Sequence, residues 1–318
     1  MKFNESTLRA YAAPLSDSEN AKCKRAIAAI RDALRGLGYT DDAKEIGLLE
    51  SDTFAHSISM RNLYSTAKIH VFIQGSYANN TCVRNESDVD IAVVREDKYE
   101  YAFGTKFASS TEDQKEEARV LKDAVEKVLR ENFPYQVRRG NKSLKVSGTD
   151  SRKPADVVPC FSMHYYFNTD RADYLTYHDG IIIFADDGTV IRNFPKQHIS
   201  NGKTKNGTTN GYYKKMVRIM KKMRYLMSDC GYSCADKVSS FGLESLLWNI
   251  PDDVFKKYIN YRFVFDDIIQ YLKQNQGMYS YYTEANGIKK LCPTQKDVDA
   301  YCTFINTLSN FYQYDITE

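Results

Sequence analysis

The sequence predicts an α+β (mixed α/β) protein: a core sheet with helices, then a C-terminal helical lobe, and one long N-terminal helix spanning both. Three observations predict it. Two apolar runs, Val71-Phe72-Ile73 and Ile91-Ala92-Val93-Val94, flank a polar turn, as paired strands do. Ile181-Ile182-Ile183-Phe184 and Thr189-Val190-Ile191-Arg192 flank Asp186-Asp187-Gly188, a hairpin signal. Beyond the polar, Gly/Asn-rich stretch 200–211, the best candidate boundary, the apolar spacing becomes helical. The expected domains are 1–200, the core with the N-terminal helix, and 201–318, the helical domain, with a cleft between them.

In chain order, Ser16-Asp17-Ser18-Glu19 has the spacing of a capping box. Cys23, Ala26, Ile27, Ile30, Ala33, Leu34 and Leu37 then recur at helical spacing, so a helix is expected over about 18–37, stopped by Gly36 and Gly38. Residues 40–66 are polar, with a short helix expected near 42–49 and His56 expected at the surface without a partner. Strands are expected over 68–74 and 89–96, a polar, aromatic connection over 99–110, and a helix over 111–132 with an acidic start. Three short strands, 135–137, 143–146 and 156–161, follow. Arg138 to Lys142 reads as a solvated basic hairpin tip, with a phosphate-facing role as the sharper alternative. Helices are expected over 212–227, 241–249, 253–274 and 294–312.

Composition excludes several classes. The 318 residues are 42% hydrophobic and 27% charged, as in globular proteins. A net charge of +3 is too weak for a nucleic-acid coat, so any basic function must be local. No apolar run approaches membrane-spanning length, and the first residues lack the apolar centre of a signal peptide. Seven scattered cysteines without Cys-x-x-Cys make a structural zinc site unexpected. Reduced thiols in a cytoplasm are the simplest account.

The chemistry concentrates between Gln74 and Asp90. Gly75 lets backbone approach a ligand closely, and Ser76 adds a hydroxyl and an N–H. In Asp88-Val89-Asp90 the two carboxylates point to one side of a strand, where like charges repel unless a cation sits between them. Oxygen-only ligands suit Mg²⁺ bound with substrate phosphates. Each piece alone has a plain reading: Asp-x-Asp is commonly a solvated strand end, and Gly-Ser a turn. The ordered set of strand, Gly-Ser, polar loop, Asp-x-Asp and strand is what points to chemistry. Helix 212–227 carries Lys214, Lys215, Arg218, Lys221, Lys222 and Arg224. Most read as a wet basic face, yet a triphosphate needs one or two of them turned inward. Ser239 and Ser240 open the next helix and read first as an N-cap, then as a phosphate site, and Phe241 could stack on a base.

The set Gln74-Gly75-Ser76-Tyr77, Ser87-Asp88-Val89-Asp90 and Ala155-Asp156-Val157-Val158 resembles the nucleotidyltransferase superfamily of DNA polymerase beta and poly(A) polymerases. Further segments narrow the resemblance: Asn193-Phe194-Pro195-Lys196-Gln197-His198, Arg218-Ile219-Met220-Lys221 and Ser240-Phe241-Gly242-Leu243-Glu244-Ser245-Leu246-Leu247. The chain is similar to the bacterial CD-NTases, the cGAS/DncV-like enzymes of anti-phage defence, clade E type, over about 15–275. The resemblance implies a cytoplasmic monomer that condenses two NTPs, UTP and ATP, and releases pyrophosphate. Its product is a uridine-containing cyclic dinucleotide, cyclic UMP–AMP or cyclic di-UMP, acting on a downstream effector protein, with no membrane or nucleic acid required. It implies catalytic and metal-binding roles for Asp88, Asp90 and Asp156 around two Mg²⁺ ions, with Mn²⁺ as a substitute. It implies nucleotide contacts at Gln74, Gly75, Ser76, Asn193, Lys221, Ser240 and Phe241. Asn193 reads first as a turn former; the resemblance makes it a pyrimidine contact where Ser goes with purines. Gly242 departs from the family, where a bulky residue is usual, and this leaves the base wall there open. The rival functions are a template-independent RNA nucleotidyltransferase and an inactive nucleotide-binding module.

Overall fold

A computed structural model describes residues 2–42, 46–51, 53–83, 88–102, 112–166 and 177–314. Ser87, Thr111, most of the connection expected over 99–110 and the last four residues lie outside these. The elements are β1 Lys2–Phe3, α1 Glu5–Ala12, α2 Asp17–Leu34, β2 Tyr39–Asp41, β3 Gly47–Leu48, β4 His56–Asn62, β5 Lys68–Ile73 and α3 Gly75–Ala78. Next come β6 Val89–Ala102, α4 Glu112–Asn132, β7 Val137–Arg139, β8 Leu144–Val146, β9 Ala155–Tyr166, β10 Tyr177–Phe184 and β11 Val190–Asn193. The remainder is α5 Pro195–Thr208, α6 Tyr212–Asp229, α7 Ser240–Trp248, α8 Asp252–Lys256, α9 Tyr261–Gln274, α10 Gln295–Phe311 and β12 Gln313–Tyr314. Among the described residues no helix is long and apolar enough to cross a membrane.

The chain divides into two compact units, and neither is contiguous. The sheet unit is Ser16–Ala78 with Asp88–Ile199; the helical unit is Met1–Leu15, Asn79–Ser87 and Ser200–Glu318. The last stretch of the helical unit begins at Ser200. The first fifteen residues, expected with the sheet, belong instead with the helices, because α1 buries Leu8 and Ala12 against α6 and α9. The N-terminal helix expected to span both lobes is α2, whose contacts lie with α4, β4, β5 and β6 of the sheet unit. It starts at the expected capping box, with the Ser16 hydroxyl accepting from the Glu19 N–H.

The sheet runs β11-β10-β9-β6-β5-β4-β2, with β8 also on β9 and β7 on β8. Within this sheet, among the described residues, β6 and β9 are the one parallel pair. Alternation gives the sheet two faces. Val71, Ile73, Ile91, Val93 and Val157 fill one. Phe72, Ala92, Val94, Val158, Cys160, Ile181 and Ile183 form an apolar cluster on the other. Two expectations for the polar region fail. No helix forms over the described residues of 42–49, where β3 pairs with β4 instead. His56 is buried, with its Nε2 3.1 Å from Asn20 Oδ1, and burial together with the nearby Lys24 charge lowers its pKa.

The helical unit packs α1, α6, α7, α9 and α10 around Met216, Val217, Ile219, Met220, Leu246, Phe265 and Phe304. The Gly/Asn-rich linker expected over 200–211 is mostly the helix α5. Pro195 sits at its first position, where a missing N–H costs nothing. Within the unit, Asn201 Nδ2 donates to the Ala285 carbonyl at 2.9 Å, and Lys205 Nζ pairs with Asp252 at 2.6 Å. These contacts outweigh the weak local helix propensity.

Candidate active site

In the sheet unit, β6 and β9 bring two of the three predicted carboxylates together. Their register pairs Val89 with Ala155 and Asp90 with Asp156. Paired residues of neighbouring strands project to the same face, so Asp90 and Asp156 stand side by side. Asp88 is exposed just before β6, two positions from Asp90, on the same side by alternation. The shared face is that of Ala92, Val94, Val158 and Cys160, whose cluster forms its apolar floor.

Gly75 is fixed to this group at close range. The Gln74 N–H donates to the Asp90 carbonyl at 2.9 Å, which pins the end of β5 to the start of β6. Gly75 then takes φ +68°, and a Cβ there would lie 2.7 Å from Asp90 Oδ2. Both the positive φ and the carboxylate demand glycine. Ser76 follows in the one-turn helix α3. On the other side, Ser143 Oγ donates to Asp156 Oδ1 at 3.3 Å, and Lys145 Nζ lies 3.7 Å from the same oxygen.

Among the described residues, no three His, Cys, Asp or Glu side chains are gathered closely enough to hold an ion as they stand. The donor set nonetheless fits a hard divalent cation. It is all carboxylate oxygen, on one sheet face, with an in-register pair at its centre. Asn193 ends β11 opposite Ile181, which itself pairs with Ser162 on β9. It therefore shares the carboxylate face but stands level with Ser162. At the usual strand rise that is about 20 Å along β9 from Asp156.

In the helical unit the predicted phosphate contacts sit on α6 and α7. Lys214, Arg218 and Lys221 are all buried, so more of the basic face turns inward than expected. Arg218 spends its guanidinium on backbone, with Nε donating to the Ala12 carbonyl at 2.7 Å and Nη1 to that of Asn80. The Lys221 ammonium lies 2.7 Å from Glu244 Oε2 and donates to Thr81 Oγ1 at 3.1 Å. Ser239 is the N-cap of α7, its Oγ accepting from the Gly242 N–H at 2.9 Å. Ser240 is the first helical residue, with its Oγ 3.4 Å from the Tyr225 hydroxyl, and Phe241 is 37% exposed. Position 242 faces inward: a Cβ there would meet the Tyr301 hydroxyl of α10 at 1.7 Å. Tyr301 thus fills the space of the missing side chain, and the open question of a base wall at Gly242 becomes one of core packing.

Sequence reading missed Glu244, Thr81, Tyr301, Ser143 and Lys145. Glu244 had a signal, since a lone charge inside Leu243-Glu244-Ser245-Leu246-Leu247 needs a buried partner. Ser143 and Lys145 alternate on β8 opposite β9, which only the register reveals.

Two family profiles match the chain: a nucleotidyltransferase domain over 57–178, and a cGAS/DncV-like nucleotidyltransferase C-terminal helical domain over 200–313. A cyclic GMP-AMP synthase of Staphylococcus schleiferi is 40% identical over 99% of this chain and 98% of its own length. A cyclic dipyrimidine nucleotide synthase of Cecembia lonarensis is 30% identical over 96% of this chain and 97% of its own. The solved cyclic dinucleotide synthase of Elizabethkingia meningoseptica, with GTP and Apcpp, superposes with a TM-score of 0.73 at 30% identity, covering 98% of this chain and 99% of that one.

Proposed function

The chain belongs to the cGAS/DncV-like nucleotidyltransferases, as a cyclic dinucleotide synthase of clade E type, and from that premise we propose that it joins two NTPs into a uridine-containing ring. The observation that carries the site is the in-register Asp90–Asp156 pair with Gly75 packed on Asp90. The 3′-hydroxyl oxygen of one nucleotide attacks the α-phosphorus of the other. The bond to the β-phosphate breaks, pyrophosphate leaves, and a second such transfer closes the ring. Divalent ions held by Asp88, Asp90 and Asp156 would neutralise triphosphate charge and ease loss of the hydroxyl proton. Gln74 fixes the turn, and the bare backbone at Gly75 with the Ser76 N–H lets phosphate oxygens approach. Lys221 and Ser240 are the proposed phosphate contacts of the helical unit, and Phe241 the proposed stacking ring. The cyclic product would serve as a messenger for a separate effector.

The base choice rests on Asn193, whose amide has an acceptor and two donor hydrogens to match the O4 and N3–H edge of uracil. A purine reading has its own support, because the Staphylococcus schleiferi relative is named for GMP and AMP. Mass spectrometry of the product from equimolar ATP, GTP, CTP and UTP with Mg²⁺ separates the two. A uridine-containing ring is expected, and Asn193→Ser should shift incorporation toward purines. Cyclic GMP–AMP alone would refute the uridine assignment and leave the synthase standing. Linear tails on added RNA, or no product at all, would refute the synthase reading. Asp88→Asn with Asp90→Asn should remove product by at least about a thousandfold, several kcal/mol of charge stabilisation, without unfolding the chain.

A further inference from the structure

Glu244 is the one carboxylate inside the apolar body of α7, and its side chain is 1% exposed. Leu243, Leu246 and Leu247 beside it belong to the core of the helical unit. A buried charge there is costly unless it is paired and hydrogen-bonded. It is both. Oε2 accepts from Lys221 Nζ at 2.7 Å and from Thr81 Oγ1 at 2.6 Å. Oε1 accepts from Asn79 Nδ2 at 3.3 Å, and the Glu244 backbone carbonyl from the Tyr213 hydroxyl at 3.1 Å. The Lys221 side chain is 2% exposed. A pair of well-packed apolar residues commonly folds as well as such an ion pair, so fold stability alone does not account for it.

What the pair holds is the stretch of chain that matters. Asn79 directly follows α3, which carries Gly75 and Ser76, and the segment Asn79–Ser87 runs on to Asp88. Asn79 and Thr81 are completely buried, and both bond to Glu244. Gly202 closes on Asn79 from α5, where a Cβ would lie 3.0 Å from Asn79 Oδ1. One carboxylate therefore orients a lysine ammonium and holds Asn79 and Thr81, just after α3.

We propose that Glu244 is a positioning residue for nucleotide binding: it aims the Lys221 ammonium, and through Thr81 and Asn79 it fixes the stretch of chain that directly follows α3. This rests on the reading that Lys221 meets the triphosphate. The Lys221 ammonium has Glu244 Oε2 and Thr81 Oγ1 as hydrogen-bond partners, and Lys214 and Arg218 are buried on the same helix. Glu244 is the charged acceptor that orients the ammonium, and without it the ammonium loses that acceptor.

The test measures the affinity of full-length protein for non-hydrolysable ATP and UTP analogues with Mg²⁺, by calorimetry. Glu244→Gln should bind at least tenfold more weakly than wild type, and Glu244→Asp should recover part of the loss. Wild-type affinity in a folded Glu244→Gln would overturn the proposal. So would a loss that merely follows a lower melting temperature with no recovery in Glu244→Asp. If Glu244→Gln does not fold, Thr81→Val removes only the hydroxyl shared by the two charges. A severalfold weaker affinity supports the proposal, and unchanged affinity overturns it. Wild-type protein that binds the analogues but makes no ring would refute the synthase reading while leaving this comparison intact.

Discussion

Ser239 and Ser240 are neighbouring hydroxyls with different surroundings, and they can be separated by experiment. Ser239 accepts from the Gly242 N–H and caps α7. Ser240 lies one residue inside the helix, and its hydroxyl makes a long approach, 3.4 Å, to that of Tyr225. Ser239→Ala should cost about 1 kcal/mol in urea unfolding, the usual worth of a cap. Ser240→Ala should cost under about 0.5 kcal/mol, as surface substitutions do, yet weaken NTP affinity severalfold. An unchanged affinity would remove Ser240 from the proposed site. The sequence announces a capping serine here without saying which one, because adjacent residues differ only in backbone angle. Gly242 is a similar case. Its sequence context marks an anomaly, and Tyr301, far along the chain, explains it. Gly242→Ala should lower the melting temperature, because its Cβ would sit 1.7 Å from the Tyr301 hydroxyl. Tyr301→Phe should restore part of the loss by vacating that space.

At the scale of elements, what was legible was what is local. The strands around Gly75 and Asp88, the capping box of α2 and the helices after 211 follow from alternation, caps and apolar spacing. The Asp90–Asp156 register, the helix α5 and the Lys221–Glu244 pair depend on contacts between distant segments, which no periodicity encodes. The β5 strand adds a consequence in pH. His70 stands on the carboxylate face beside Phe72, with ring centroids 5.2 Å apart, over a small cavity also lined by Lys196 and Asp179. Burial first, and the Lys196 charge second, hold its pKa down at about 4. The unfolded chain binds that proton near pH 6.5 while the folded chain refuses it until about 4. Stability should therefore be full above pH 6.5 and fall as pH drops toward 4, by up to about 3 kcal/mol from this residue. Urea midpoints of wild type and His70→Gln at pH 7, 6, 5 and 4.5 isolate the contribution, since other histidines titrate in both. Parallel curves for the two proteins would refute it.

At the scale of the whole molecule, the helical unit is assembled from three stretches of chain, and the first fifteen residues contribute more than their length implies. Phe3 stacks on Tyr312 with ring centroids 5.5 Å apart, and Leu8 is fully buried in the same core. The Ala12 carbonyl receives the Arg218 guanidinium. Glu5 caps a remote helix. Its Oε1 and Oε2 accept the N–H groups of Tyr261 and Arg262 at 3.0 and 3.1 Å, where the N-cap Asn260 makes no side-chain bond. A carboxylate at that end also suits the helix dipole. Deleting residues 2–15 exposes the partners of two large apolar side chains, about 1.5–3 kcal/mol each. It also strands a buried guanidinium at about 1–3 kcal/mol more. That sum of about 4–9 kcal/mol is comparable to the whole stability of an ordinary domain. The deletion should therefore abolish cooperative unfolding of the helical unit, seen as loss of near-ultraviolet circular dichroism. Glu5→Ala alone should cost only about 1 kcal/mol, as a lost cap does. A deletion as stable as the full chain would mean that the helical unit closes without its N-terminal segment, and that the contacts of Phe3, Leu8 and Ala12 contribute little.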